Sequence, residues 1–194
     1  IFYERLIKDK DEAWRFAANV LNILIFALLI FSVILILFAP QLVSLVAPGF
    51  DSASRELTVN LSRLLVLSPL LLGISALASA LLQAFSRFLI TSLAPIFYNL
   101  GIIFGIVFLA PHYGIWGLAY GVILGALLHL LVQVPSLINV GFRFRGLLNF
   151  KEWGLIKVVK LWLPRTLGLF ALQINSIVST AIASVLASGS IAIF

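Results

Sequence analysis

Four stretches of this chain carry no charged side chain, and their lengths decide what it can fold into. Residues 16–50, 64–86, 88–142 and 166–194 lie between charges and hold 35, 23, 55 and 29 residues. A helix needs about 20 apolar residues to cross the roughly 30 Å hydrocarbon core of a bilayer. The first, second and fourth stretches each supply one span, and the third has room for two. Charged residues make up 10% of the 194 and hydrophobic ones 62%, whereas soluble domains are about a quarter charged and less than half apolar. The expected fold is an all-α polytopic membrane protein, a bundle of five complete transmembrane helices with a partial one at each end. Strands of a transmembrane barrel would alternate polar and apolar residues, and residues 16–39 do not.

Other classes fall away on the same counts. There is no cysteine, which excludes a disulfide framework, a thiolate metal site and a cysteine nucleophile. The net charge of +6 would suggest nucleic acid in a soluble protein, but here the basic residues sit between apolar spans, so no nucleic-acid partner is expected. The chain opens Ile1-Phe2-Tyr3 without methionine, and we read it as a segment of a longer protein.

Residues 1–15 hold eight charges and read as a charged loop with the end of a preceding helix. Spans are expected at 16–39, 61–85, 89–110, 115–140 and 161–187. Pro48-Gly49-Phe50 and Pro111-His112-Tyr113-Gly114 read as turns, and Asp51 or Ser52 as a helix cap. Residues 141–160 read as an amphipathic connector on an anionic leaflet of membrane phospholipids, with Asn149 and Glu152 as its capping pair. Ser188-Gly189-Ser190 reads as a turn before a helix that starts at Ile191. One set of loops holds ten of the thirteen Lys and Arg residues, the opposite set holds Arg55 and Arg63, and Arg165 lies within the fifth span. Ten against two places 1–15 and 141–160 in the cytoplasm.

No acid lies inside a span: the seven are Glu4, Asp9, Asp11, Glu12, Asp51, Glu56 and Glu152. This argues against paired-carboxylate catalysis, an intramembrane metal site or a carboxylate ion site; no catalytic residue, metal or cofactor is expected. His112 and His129 read as packing residues. Arg165 has two readings. An arginine at membrane depth can face a cavity, where its planar fork suits phosphate oxygens, or its stem can snorkel to the headgroups. Arg63 reads as a snorkelling residue. Gln173, Asn175 and Asn99 either bond a neighbouring helix or line a polar cavity. Pro69, Pro95, Pro135 and Pro164 are each expected to bend a helix. Gly101-x-x-x-Gly105 and Gly117-x-x-x-Gly121-x-x-x-Gly125 put small residues on one face and permit close helix packing.

An ordered series of short motifs resembles one family, the MurJ/MviN lipid II flippases of bacteria. The series runs Pro40, Pro48-Gly49-Phe50, Arg87-Phe88, Ala94-Pro95, Asn99, Gly117-Leu118-Ala119, Gly121, Gly125, Gln133 and Pro135. It continues through Leu163-Pro164-Arg165, Gly168, Gln173-Ile174-Asn175 and Ala183-Ser184 to Ala187-Ser188-Gly189-Ser190. Gln83 departs from the asparagine that many relatives carry there. The resemblance implies most of the N-terminal lobe of a two-lobed transporter of about fourteen helices. It also implies alternating access that moves an undecaprenyl-pyrophosphate-linked glycopeptide lipid between leaflets, with the family's essential arginines on helices outside these residues. Two other readings fit the same residues. A sibling exporter of another lipid-linked oligosaccharide or of drugs would share the fold. A membrane-embedded lipid-processing enzyme would need an acidic or histidine-rich loop motif, and the sequence has none.

The charge asymmetry makes a direct prediction. Of cysteines introduced at Lys10, Ser52 and Arg145, only the one at Ser52 should react with a membrane-impermeant thiol reagent in intact cells. Labelling at Lys10 or Arg145 but not at Ser52 would reverse the orientation.

Overall fold

The computed structural model describes residues 1–184, with all their side chains except those of Ala171, Leu172, Asn175, Ala183 and Ser184. The expected end of the fifth span at 187, the turn at Ser188-Gly189-Ser190 and the helix from Ile191 lie outside the described residues.

Every regular element among the described residues is helical. Four segments are long and apolar enough to cross a membrane: Lys10–Val46, Ser52–Ala84, Phe88–Tyr113 and Ile115–Asn139. The protein is an all-α, multi-pass membrane protein.

The first correction concerns residues 1–15, which form helix rather than loop. Helix α1 (Phe2–Lys8) precedes α2 (Lys10–Val46), and Asp9 between them caps α2. The Asp9 carboxylate accepts from the N–H groups of Asp11 and Glu12 at 2.8 and 3.3 Å. Asp11 and Glu12 then place negative charge on the first turn, where the helix dipole favours it.

The prolines explain the next differences. Pro40 does not end the first span, because α2 runs on to Val46. A proline inside a helix leaves the carbonyl four residues back without its donor, here that of Ile36. Arg63 supplies the missing bond, its Nε donating to the Ile36 carbonyl at 3.2 Å. Ser44 Oγ donates to the Pro40 carbonyl at 2.6 Å, and Arg55 in turn donates to Ser44. Arg63 is thus more than a snorkelling residue.

The second span is two helices, α3 (Ser52–Leu65) and α4 (Leu67–Ala84). The fourth is also two, α7 (Ile115–Leu131) and α8 (Val134–Asn139). Each break has one cause: Pro69 and Pro135 stand four residues after Leu65 and Leu131, the last residues of α3 and α7. Asp51 caps α3, accepting from Ala53 N–H at 3.2 Å. A hydrogen bond from the Ser54 side chain holds the Asp51 carboxyl below its ordinary range.

In the third span α5 (Phe88–Phe104) passes through Pro95 unbroken. A π-helical turn, Gly105–Leu109, then carries it past Pro111 into α6 (Ala110–Tyr113). The expected four-residue hairpin shrinks to Gly114, whose φ of +57° suits a residue without a side chain. The connector is irregular up to residue 152, and α9 (Trp153–Ser184) begins there rather than at 161. Helix α9 continues through Pro164.

Helices α5 and α7 pack most tightly. A Cβ on Gly101 would collide with the main chain of Gly125, one on Gly105 with Gly121, and one on Gly117 with Leu109 and Ala110. Helix α4 packs on α7 and α2. At the charged end Trp14, Ala17, Ala78, Leu81, Leu82, Leu137 and Val140 form the main core cluster. The Trp14 ring stacks on Phe85 at 5.4 Å and meets Phe142 edge-on at 5.6 Å.

Since the α5–α7 contact is backbone on backbone, Gly101→Ala should destabilise the protein by about 1–3 kcal/mol. Gly168→Ala, with nothing within 4 Å of the new Cβ, should be neutral or stabilising. Thermal unfolding in detergent reads both, and equal effects would refute the close contact.

Candidate functional site

The sequence-predicted cavity residues do not converge among the described residues. Asn99 is exposed on α5, while Arg165 and Gln173 are exposed on α9, and Asn175 follows on the same helix. Helix α5 packs on α7, whereas α9 packs along α2. From Leu161 onward α9 exposes its large apolar side chains, among them Leu161 at 66% and Leu167 at 62%. Arg165 therefore stands on a length of helix away from the bundle, without an ion-pair partner among the described residues.

What the fold does assemble is a polar clamp at the charged end. Asn19, buried in α2, donates through Nδ2 to the Asn149 carbonyl at 2.9 Å and to Glu152 Oε2 at 2.7 Å. Its Oδ1 accepts from the Asn149 N–H at 2.7 Å. One turn on, Asn22 donates to the Arg145 and Leu147 carbonyls at 2.7 and 2.8 Å. Irregular backbone in an apolar setting needs such substitute partners, and two asparagines three residues apart supply them from one helix face. The other Glu152 oxygen accepts from Arg5 Nη1 at 2.7 Å. Arg5 also reaches Glu12 at 3.2 Å and lies over the Phe16 ring at 4.3 Å. A Cβ on Gly154 would meet Arg5 Nη2 at 2.6 Å, so the first turn of α9 sits hard against this group. Arg145 pairs with Asp11 at 2.6 Å, a hydrogen bond that raises its pKa above the ordinary value.

Asn149 and Glu152 therefore do not form the expected capping pair through their side chains. The Asn149 side chain accepts from Lys151 N–H at 3.1 Å, and Glu152 is spent on Asn19 and Arg5. In the sequence Asn19 is one polar residue within the first apolar stretch and Arg5 one of the eight charges of residues 1–15. The missed signal was the spacing of Asn19 and Asn22, which puts both amides on one face.

A second polar group lies between α4 and α7. The helical N–H of Gln133 bonds the Leu130 carbonyl, which leaves the His129 carbonyl without its main-chain donor. Gln133 Nε2 and Ser75 Oγ supply it at 3.0 and 3.2 Å. Ser79 donates to Gln133 Oε1 at 2.8 Å, Gln133 Nε2 donates to Ser75 Oγ at 2.6 Å, and Ser75 lies 2.7 Å from His129 Nδ1. His129 thus joins a structural network, and Ser75 and Gln133 are fully buried in it. No group of three or more His, Cys, Asp or Glu residues among the described ones could hold a metal ion.

Against known proteins, a model of the lipid II flippase MurJ family matches residues 1–194. The probable lipid II flippases MurJ of Buchnera aphidicola subsp. Schizaphis graminum and subsp. Acyrthosiphon pisum are 34% and 32% identical over 188 residues. Each alignment covers 95% of this chain and 37% of the relative. The lipid II flippase MurJ of Burkholderia cenocepacia is 30% identical over 178 residues, 88% of this chain and 34% of its own. The chain spans little more than a third of the length of these relatives.

The clamp predicts a local loss. Asn19→Leu keeps the volume but strands the Asn149 main chain and one Glu152 oxygen, and should cost about 1–3 kcal/mol. Limited proteolysis should then cut within residues 142–152 faster than in the unsubstituted protein. Unchanged resistance would show that the asparagine does not hold the connector.

Proposed function

The chain belongs to the lipid II flippase MurJ family, and from that premise we propose that it forms part of a flippase. The cargo is an undecaprenyl-pyrophosphate-linked glycopeptide lipid, carried from the inner to the outer leaflet of the bacterial cytoplasmic membrane by alternating access. The family is one of transporters rather than enzymes. The observation that carries this reading is the family match along all 194 residues, with its relatives 30–34% identical over most of the chain.

The headgroup needs a polar path across the membrane. A diphosphate sugar cannot enter hydrocarbon without polar partners. The α5–α7 interior is closed by main-chain contact at Gly101, Gly105, Gly121 and Gly125. The path therefore does not run between α5 and α7, and α9 is the element that leaves the bundle. Arg165, exposed there and unpaired among the described residues, supports a role in drawing the pyrophosphate into an inward-open cavity. Gln173, Asn175 and Asn99 are further cavity candidates, with Asn99 on a separate helix.

A guanidinium offers two parallel hydrogen bonds to phosphate oxygens, and an ammonium does not. When the native flippase is depleted, Arg165→Ala should complement growth poorly and Arg165→Lys partly, at unchanged protein level. The loss corresponds to about 1.5–3 kcal/mol for a charge-assisted bond. Normal growth with Arg165→Ala would leave the residue a snorkelling role.

A further inference from the structure

The connector does more than link two spans. Asn19 holds the Asn149 main chain at both its N–H and its carbonyl, which seats the connector against α2 immediately before Phe150 and Lys151. The Phe150 ring meets Phe26 edge-on at 6.3 Å. Below it, Ile23, Phe26, Ala27, Ile30, Phe31 and Ile34 line an apolar groove of about 380 Å³ that Phe150 roofs. From Ile23 to Ile34 the helix rises about 16 Å. That is the depth of one leaflet, half of a hydrocarbon core of roughly 30 Å.

The chain on either side of Phe150 is cationic. Lys151 is exposed and has no carboxylate partner among the described residues, and Arg143, Lys157 and Lys160 are likewise outside every ion pair. Lys157 lies over the Trp153 ring at 5.7 Å, and Trp153, 73% exposed, suits the headgroup level. An open apolar groove one leaflet long, with an unpaired lysine at the residue after Phe150, has the polarity of one anionic lipid molecule.

We propose that this groove is a binding site for an anionic glycerophospholipid of the leaflet on the connector's side. One acyl chain lies along Ile23–Ile34 under Phe150, and Lys151 holds the phosphate. The assignment stands apart from the flippase reading, and its test measures no transport.

The test places p-benzoylphenylalanine at position 30 of the intact protein, reconstituted in phosphatidylcholine vesicles with or without ³²P-labelled phosphatidylglycerol. Irradiation should label the protein with phosphatidylglycerol in preference to equally labelled phosphatidylcholine. Lys151→Gln should reduce that preference about fivefold, the ratio set by roughly 1 kcal/mol per basic residue near an anionic surface, and Lys151→Arg should retain it. Phe150→Ala, which removes the roof, should lower labelling by phosphatidylglycerol several-fold. Equal labelling by the two lipids would overturn the site, as would Lys151→Gln without effect. Displacement by an equimolar lipid-linked diphosphate would assign the groove to the transported lipid instead.

Discussion

In hydrocarbon nothing but the protein itself can bond a main-chain carbonyl, and this constraint organises the structure wherever the helices are interrupted. Pro40 leaves the Ile36 carbonyl without a donor, and an arginine from the next helix crosses to it. The break ahead of Pro135 leaves the His129 carbonyl, and Gln133 and Ser75 close on it together. The connector would leave several groups unpaired at the membrane edge, and Asn19 and Asn22 take them up. In each case the repair comes partly from a different helix, so the same bonds that satisfy the backbone also fix how the helices sit.

The second organising fact is that apolar side chains gain little from meeting one another in lipid, since lipid tails are as apolar as leucine. Close packing must come from shape. Glycines on α5 and α7 let two backbones touch, and dispersion between them then acts at short range. That pair, with α4 and α2 against it, makes a solid block. Helix α9 is different: it is seated by a charged and amide-lined clamp at one end and exposes its surface beyond Leu161. Under the flippase function proposed above, this contrast between a solid block and an element held at one end is where a change of access would be accommodated.

The spans were legible because their signal, length without charge, is long and redundant. Prolines were harder to read. Pro69 and Pro135 do break helices, while Pro40, Pro95 and Pro164 do not. The sequence shows a proline but not whether a donor such as Arg63, 27 residues from Ile36, waits beside the orphaned carbonyl. The charged opening residues misled for a related reason. A dense run of charges looks solvated, yet Asp9 caps a helix and Arg5 lies over Phe16 and grips Glu152. The candidate site was the least legible part: Arg165 and Asn99 are individually conspicuous polar residues, but they lie on helices that do not pack together.

The sequence by itself determined that this is a multi-pass helical membrane protein and carried an ordered series of motifs resembling one family. It also placed glycines where two helices touch. These are properties of composition and local spacing, set by how many apolar residues cross a bilayer and how small a side chain must be. Only the tertiary structure decided which proline interrupts a helix, where the connector lies, and which loop charges become structural. Those outcomes depend on hydrogen-bond partners far apart in the chain, from 27 residues for Arg63 with Ile36 to 147 for Arg5 with Glu152. A bond formed over that distance exists only once the helices between have packed.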